Sequence, residues 1–166
     1  MKNVVLIGLT GCGKTTVGKK ISSLLSMEFV DMDAYIEKKE GKTVKEIFED
    51  SGESYFRSLE TIASKELSET GGKVIATGGG AILNPKNMEY LKQNAVIIFL
   101  DRSPDDILKK INLSIRPMLA QNKNRLYELY KERHHLYKTY ADLTINGKTD
   151  IKETVKDTMA ALKTYL

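Results

Sequence analysis

Residues 8–15 have the sequence Gly-Leu-Thr-Gly-Cys-Gly-Lys-Thr, which fits the pattern G-x-x-x-x-G-K-T. The preceding residues, Val4-Val5-Leu6-Ile7, form a short uncharged run typical of a strand that is buried on both faces. After the motif, Val17, Ile21 and Leu25 recur at helical spacing. A strand, this motif and a helix, in that order, are the context of a phosphate-binding P-loop. We therefore predict that the chain binds a nucleoside triphosphate, rather than using these glycines only to join a strand to a helix.

Each part of the motif has an expected role. The glycines allow several backbone N–H groups to point into one concavity at the positive end of the helix dipole. Lys14 is expected to reach the β- and γ-phosphates, and the Thr15 hydroxyl is expected to bind Mg²⁺. The predicted nucleotide-binding residues of this segment are Gly11, Cys12, Gly13, Lys14, Thr15 and Thr16.

The length and composition fit one globular domain. The chain has 166 residues, 29% of them charged and 41% hydrophobic, with no linker, repeat or low-complexity segment. Cys12 is the only cysteine, which excludes an internal disulfide and suits a reducing compartment. No apolar run has membrane-spanning length, and a strand begins almost at the first residue, so we expect no signal peptide and a cytoplasmic location.

The net charge of +4 favours anionic ligands. It does not point to nucleic acid, because the basic residues are dispersed among acidic ones and aromatic residues are sparse. We expect a monomer that acts on a small molecule, with no nucleic-acid or membrane partner.

Apolar segments alternate with segments of helical periodicity along the chain. This pattern predicts a parallel sheet covered by helices on both faces. Ligands of such sheets lie beyond the carboxyl ends of the strands, where the P-loop, the pair Asp31 and Asp33, and Gly78-Gly79-Gly80 are all expected. The predicted strands are 4–7, 28–31, 73–77, 95–100 and 143–145; the predicted helices include 34–40, 43–50, 53–69, 85–91, 103–112 and 125–140, and a terminal helix begins near 151.

Two acidic residues are candidates for phosphoryl-transfer chemistry. Asp31 and Asp33 lie two apart on a segment predicted to be extended, so their side chains should project to the same side. One could hold the Mg²⁺ shell while the other accepts a hydrogen bond or a proton from the attacking hydroxyl. The alternative is a solvated acidic strand end.

Basic residues around the predicted cleft suggest a second anion site. Arg57 has Glu53 four residues before it and Glu60 three residues after it, which could fix its guanidinium in one rotamer or form only a surface ladder of ion pairs. Arg116 lies in a predicted mobile loop over about 113–124 that could close over the nucleotide, and Arg133 lies on the next helix. Three consecutive glycines at 78–80 are better explained by close approach of a ligand than by a plain turn.

Together these pieces resemble the shikimate kinase family. The matching motifs are GLTGCGKT, D-x-D at Asp31 and Asp33, G-E-x-x-F-R-x-x-E from Gly52 to Glu60, the triple glycine, R-P-M-L from Arg116, and E-R-x-x-x-Y from Glu132 to Tyr137. The first motif is generic, but the ordered set is specific and spans nearly the whole chain.

The resemblance implies ATP-dependent phosphorylation of the 3-hydroxyl of shikimate to shikimate 3-phosphate, in the pathway to chorismate and the aromatic amino acids. It also implies a nucleoside-monophosphate-kinase-like fold with sheet order 2-3-1-4-5 and substrate-binding helices over about 33–69. The implied roles are catalysis and phosphate contact by Lys14 and Arg116, and metal binding by Thr15 and, through water, by Asp31. Asp33 is implied as the candidate base, and Asp33, Arg57, Gly79, Gly80 and Arg133 are implied as shikimate-binding residues.

The chain departs from the family pattern at two places on the nucleotide side. Lys109 and Lys110 stand where the family often has an arginine that stacks on adenine, and residues 146–150 lack a frequent proline. These departures concern nucleotide affinity and base preference. Two alternatives for the function also stay open at this point: a kinase for another small hydroxy acid such as gluconate, and a non-catalytic protein that uses nucleotide as a switch.

Overall fold

The computed structural model describes residues 1–110, 123–147 and 150–166. Its centre is a five-stranded sheet in which every pairing is parallel, with the order β2-β3-β1-β4-β5. This is the order 2-3-1-4-5 that the resemblance implies, and the fold prediction is confirmed. The strands are β1 (Asn3–Ile7), β2 (Glu28–Asp31), β3 (Lys73–Ala76), β4 (Ala95–Asp101) and β5 (Leu143–Asn146).

Helices connect the strands and cover the sheet. In chain order they are α1 (Lys14–Leu25), α2 (Met32–Glu40), α3 (Val44–Ser68), α4 (Pro85–Lys92), α5 (Pro104–Lys110), α6 (Lys123–Tyr140) and α7 (Ile151–Leu162), with a short 3-10 helix at Ala81–Leu83. The part of the chain that the structure describes contains no helix that is long and apolar enough to cross a membrane.

β1 is the middle strand, and all five of its residues are buried. Val5 pairs with Ile75 of β3 on one side and with Ile97 of β4 on the other. An uncharged strand with four consecutive aliphatic residues suits this position because both of its faces are covered. The parallel pairing brings the P-loop, the end of β3 and the end of β4 to the same edge of the sheet.

α3 is one element with a bend, where the sequence predicts two helices. Its start has a capping box: the Thr43 hydroxyl accepts from the Glu46 N–H, and the Glu46 carboxylate accepts from the Thr43 N–H, both at 3.1 Å. At Gly52 the backbone has φ 83° and ψ 173°, a conformation that favours glycine. The predicted break at Ser51-Gly52 is therefore a bend that redirects the second half of α3.

The structure corrects two boundaries near the site. α2 begins at Met32, because the Asp31 carboxylate accepts from the Ala34 N–H and caps the helix. The prediction that Asp31 and Asp33 lie on one extended segment is therefore wrong, because Asp33 is in the helix. Both residues nevertheless line the same cleft. α6 begins at Lys123, so residues 123 and 124 are helical, whereas the predicted loop included them. The rest of that loop, with Arg116, lies outside the described residues.

Candidate active site

The P-loop forms a wall of a cleft of about 670 Å³ at the carboxyl edge of the sheet. Gly8, Gly11 and Gly13 have φ of 149°, 82° and 103°, values that residues with side chains rarely adopt. A Cβ on Gly8 would also stand 2.8 Å from the Leu100 carbonyl oxygen of β4. The glycines of the motif are therefore required by the turn itself, before any ligand is considered.

Lys14 folds back over the loop that precedes it. Its Nζ donates to the carbonyl oxygens of Gly8, at 2.6 Å, and Leu9, at 2.9 Å, and the residue is only 8% exposed. The Cys12 side chain is buried, with its Sγ 3.7 Å from the same amine, and the Cys12 N–H donates to Leu9. The amine is thus held at the mouth of the P-loop by carbonyl oxygens. Cys12 serves loop packing in this structure.

Thr15 and Asp31 meet on the cleft wall. The Thr15 hydroxyl donates to Asp31 Oδ2 at 2.9 Å, while Asp31 Oδ1 accepts the α2 capping bond. A hydroxyl and a carboxylate suit Mg²⁺, a hard cation that is usually bound through one or two carboxylates, substrate phosphates and waters. Within the described residues no three His, Cys, Asp or Glu side chains cluster as a metal site. The donor set thus fits a nucleotide-bound Mg²⁺ better than a protein-only cage.

Because residues 78–80 are glycines, side chains from other parts of the site can approach their backbone closely. A Cβ on Gly78 would stand 2.9 Å from Asp33 Oδ1 and 3.2 Å from Glu60 Oε2, and one on Gly79 would stand 2.9 Å from Thr10 Oγ1. A Cβ on Gly80 would stand 2.5 Å from an Arg57 guanidinium nitrogen. Real Cβ atoms essentially never come this close. The triple glycine is therefore the point where the P-loop, α2 and α3 converge, which a plain turn does not require.

Arg57 is fixed from both sides, as its spacing predicts. Its Nη1 donates to Glu60 Oε1 at 2.6 Å, and its Nη2 donates to Glu53 Oε1 at 3.3 Å. The two carboxylates differ in burial: the Glu60 side chain is 1% exposed and the Glu53 side chain 66%. Because an exposed ion pair contributes little, Glu60 is the partner that orients the guanidinium.

Asp33 is a half-buried carboxylate with a raised pKa. Burial is the largest cause, the neighbouring Asp31 carboxylate adds to it, and Lys14 opposes it. Burial likewise raises the pKa of Glu60, against the lowering effect of Arg57. Asp33 Oδ1 and Glu60 Oε2 are buried and have no hydrogen-bond partner among the described residues. Asp33, which lines the cleft, therefore keeps unused capacity to accept hydrogen bonds.

Arg133 approaches the triple glycine from α6. Its Nη1 is 3.8 Å from the point where a Cβ on Gly79 would stand. Arg57 and Arg133 thus lie beside neighbouring glycines of one loop, although the sequence separates them widely. Arg116, the remaining predicted cation, falls outside the described residues.

Sequence reasoning missed Arg102. This residue directly follows β4, is 4% exposed and lines the cleft together with Lys110 and Ile151. A Cβ on Gly147 would stand 3.1 Å from Arg102 Cβ, so the backbone directly after β5 packs against Arg102. Its position after the predicted strand 95–100 was a usable signal, because ligands of such sheets bind at the carboxyl ends of the strands. Lys109, in contrast, is exposed and paired with Asp106.

A P-loop that faces a separate pair of arginines is the arrangement of a kinase for a small anionic molecule. Phosphoryl transfer needs a positioned acceptor beside the nucleotide, whereas a nucleotide switch needs no second anion site. The fold and the site therefore define a P-loop small-molecule kinase.

Comparison with known proteins gives the family. The family model described as "Shikimate kinase" matches residues 10–163. The chain is 46% identical to a shikimate kinase from Clostridium botulinum over 159 residues, which cover 95% of both proteins. The chain belongs to the shikimate kinase family.

Solved structures agree with this assignment. The shikimate kinase from Acinetobacter baumannii, solved in complex with shikimate, has a TM-score of 0.91 and 36% identity to this chain and covers 99% of it and 94% of that protein. A gluconokinase from Sinorhizobium meliloti covers 99% of this chain and 93% of its own, with a TM-score of 0.56 and 14% identity. The second likeness shows a shared fold and nothing about the substrate.

Proposed function

We propose that this chain transfers the γ-phosphoryl group of ATP to the 3-hydroxyl of shikimate, giving shikimate 3-phosphate and ADP. The observation that carries the proposal is the convergence on residues 78–80 of the P-loop, the Asp33 carboxylate and two arginines. Shikimate combines one carboxylate with several hydroxyls, so it needs a cationic clamp at one end and acceptor oxygens at the other. Arg57 and Arg133 could supply the cationic clamp, and the Asp33 carboxylate could supply the acceptor oxygens.

The nucleotide side uses the P-loop. We assign the triphosphate to the backbone N–H groups around Gly11, Cys12 and Gly13, with Lys14 and Thr16 beside it. The Lys14 amine exchanges its present carbonyl partners for phosphate oxygens. Thr15 and, through water, Asp31 would hold Mg²⁺, which when bound would neutralise phosphate charge. Arg116 is assigned to the phosphates by its motif alone.

The acceptor side uses the glycine loop and its surroundings. We assign the substrate carboxylate to Arg57 and Arg133, and the substrate ring to the surface of Gly79 and Gly80. The 3-hydroxyl oxygen attacks the γ-phosphorus, the bond to the bridging oxygen of ADP breaks, and the hydroxyl proton passes to Asp33. A raised pKa makes an ionised carboxylate a stronger base than a carboxylate with the ordinary pKa, and Asp33 acts here in its ionised form.

The biological setting follows from the reaction. The product belongs to the route to chorismate and the aromatic amino acids. We further propose that the enzyme acts in the cytoplasm. We propose a monomer because the predicted site draws on one chain only. Light scattering coupled to gel filtration measures the mass directly; a stable dimer would contradict the monomer.

The deciding experiment is a coupled ADP-release assay with MgATP and four conditions: shikimate, gluconate, quinate and no acceptor. We expect release that depends on shikimate. Release that depends on gluconate or quinate would overturn the substrate assignment within the same fold. Release without any acceptor would instead indicate a nucleotide hydrolase or switch.

A further inference from the structure

The hydroxyl of Tyr137 lies between two parts of the proposed shikimate pocket. It donates to the Gly79 carbonyl oxygen at 2.6 Å. The Arg133 guanidinium, one helical turn earlier on α6, lies beside the same hydroxyl and favours its ionised form by charge and by hydrogen bonding. One oxygen atom thus touches both the glycine loop and an arginine of the predicted carboxylate clamp.

We propose that Tyr137 is a positioning residue that fixes Arg133 against the glycine loop and thereby sets the affinity for the anionic acceptor. The proposal rests on the proposed function, since it concerns the same pocket. Tyr137 does not touch the reacting atoms. It acts through the geometry of the residues that do.

The ring of Tyr137 cannot move easily. The residue is 1% exposed, and its ring stacks on Phe99 of β4 with centroids 5.0 Å apart and an interplanar angle of 21°. Because β4 is an interior strand of the sheet, this stacking fixes the position of the hydroxyl relative to the sheet. A hydrogen bond from a fixed phenol restrains its partner better than one from a flexible side chain, which must lose rotamer freedom to bind.

Helix geometry explains why Arg133 shares this anchor. Residues four apart lie on the same face of a helix, one above the other. Arg133 and Tyr137 therefore both reach the glycine loop: the Tyr137 hydroxyl bonds the Gly79 carbonyl, and Arg133 Nη1 comes within 3.8 Å of the Cβ position of Gly79. Loss of the hydroxyl removes the donor to the Gly79 carbonyl and a polar contact of the guanidinium at the same time.

The hydroxyl acts as a neutral donor. Burial is the largest cause that raises the pKa of Tyr137 to about 12, with Arg133 opposing it. The phenol stays protonated throughout the range in which the enzyme can be assayed, so we expect its contribution to be independent of pH between about 6 and 9.

Tyr137→Phe removes the hydroxyl and keeps the stacked ring. A lost hydrogen bond to a buried or charged group costs about 1–3 kcal/mol, which corresponds to roughly 5- to 150-fold in affinity. We expect the KM for shikimate to rise at least fivefold, kcat to change less than threefold, and the KM for ATP to stay within twofold. The matched control is Tyr130→Phe, which removes another phenol of α6 whose hydroxyl donates to Asp101 at 3.1 Å.

A double-mutant cycle separates positioning from general support of the fold. If the hydroxyl acts through Arg133, Tyr137→Phe should have little effect on the KM for shikimate in an Arg133→Ala background. Equal effects of Tyr137→Phe in both backgrounds, an unchanged KM for shikimate, or an equal effect of Tyr130→Phe would each overturn the proposal. Thermal unfolding of all variants checks that their folded fractions match. The wild type in the same assay reports the proposed function independently, through its shikimate-dependent ADP release.

Discussion

At the scale of the residue, Asp33 shows how a site residue acquires its chemistry. Asp31 and Asp33 have the same side chain and lie two residues apart, but Asp31 caps α2 and accepts from Thr15, while Asp33 Oδ1 has no protein partner among the described residues. A carboxylate that is half-buried without donors is costly to ionise, and this raises its pKa. In the proposed reaction, Asp31 would serve the helix cap and the metal, and Asp33 would accept the proton.

The first prediction concerns turnover. Asp33→Asn keeps the shape of the side chain but cannot take the hydroxyl proton, so we expect kcat to fall at least 100-fold, in line with the usual contribution of general base catalysis of about 10²–10⁴. MgATP binding, measured by calorimetry, should change less than threefold. Asp50→Asn is the control, since Asp50 is exposed and paired with Lys42. Near-normal turnover of the Asp33 variant would show that Asp33 is neither base nor positioning group.

The second prediction concerns stability and its pH dependence. Since the pKa of Asp33 is raised in the folded state, its contribution favours the folded state below the ordinary pKa of about 3.9 and is lost as pH rises through the folded pKa. Asp33→Asn should therefore be more stable than the wild type at pH 7. This advantage should disappear near pH 3.5. Urea unfolding of both proteins at the two pH values measures this difference in the free energy of unfolding. A variant less stable than the wild type at pH 7 would contradict the raised pKa of Asp33.

At the scale of the element, three helices (α2, α3 and α6) and the P-loop all meet at the loop of residues 78–80, which carries no side chains. Gly78 admits carboxylates from α2 and α3, Gly79 admits Thr10 and Arg133, and Gly80 admits Arg57. Any side chain here would displace a neighbour that the proposed reaction needs. The loop is thus a spacer whose small size sets the geometry of the pocket.

The third prediction tests this spacer. In Gly80→Ala the new Cβ would meet the Arg57 guanidinium at 2.5–2.8 Å and force it aside. We expect the KM for shikimate to rise about tenfold, with the KM for ATP within threefold, because the lost contact is a charged hydrogen bond.

The clash itself can be isolated with a second pair of variants. Arg57→Ala removes the group with which the new Cβ collides, so adding Gly80→Ala to it should cost no further affinity. Additive losses of shikimate affinity would locate the effect of Gly80→Ala in the backbone of the loop instead. A parallel loss of ATP and shikimate affinity would indicate a folding defect.

At the scale of the whole molecule, the buried sheet provides the rigidity on which the site depends. Strand β1 is fully buried and carries the P-loop at its carboxyl end, with β3 and β4 paired on either side. The glycine loop, Arg102 and the P-loop all extend from ends of these three strands. Their relative positions therefore follow from the backbone pairing of the sheet.

The fourth prediction compares two identical substitutions in different places. Leu6→Ala in β1 removes a fully buried side chain and should lower the free energy of unfolding by about 2–5 kcal/mol. Leu24→Ala removes a side chain that is 63% exposed on α1 and should change it by less than about 0.5 kcal/mol. Denaturant unfolding measures both. Similar losses at the two positions would contradict the placement of the core in the sheet around β1.

Much of the fold could be predicted from local patterns. The five strands, the P-loop and the break at Gly52 each depend on a few neighbouring residues, so periodicity, capping and glycine placement located them to within a few positions. The start of α2 is predicted two residues too late, because the pattern of residues 31–33 predicts an extended segment, whereas the Asp31 side chain caps a helix that begins at Met32. The burial of Arg102 was not visible in the sequence, although its position after a predicted strand marked it as a candidate for the ligand edge of the sheet.

The sequence by itself determined the parallel fold, the phosphate-binding loop and the residue types of the candidate site, because these follow from spacing along the chain and from the stereochemistry of single residues. Only the tertiary structure decided which atoms meet: Glu60 beside Gly78 and Asp33, Arg57 against Gly80, and the Tyr137 hydroxyl on the carbonyl of Gly79. Contacts between residues so distant in sequence depend on strand order and helix packing, which a local pattern does not encode.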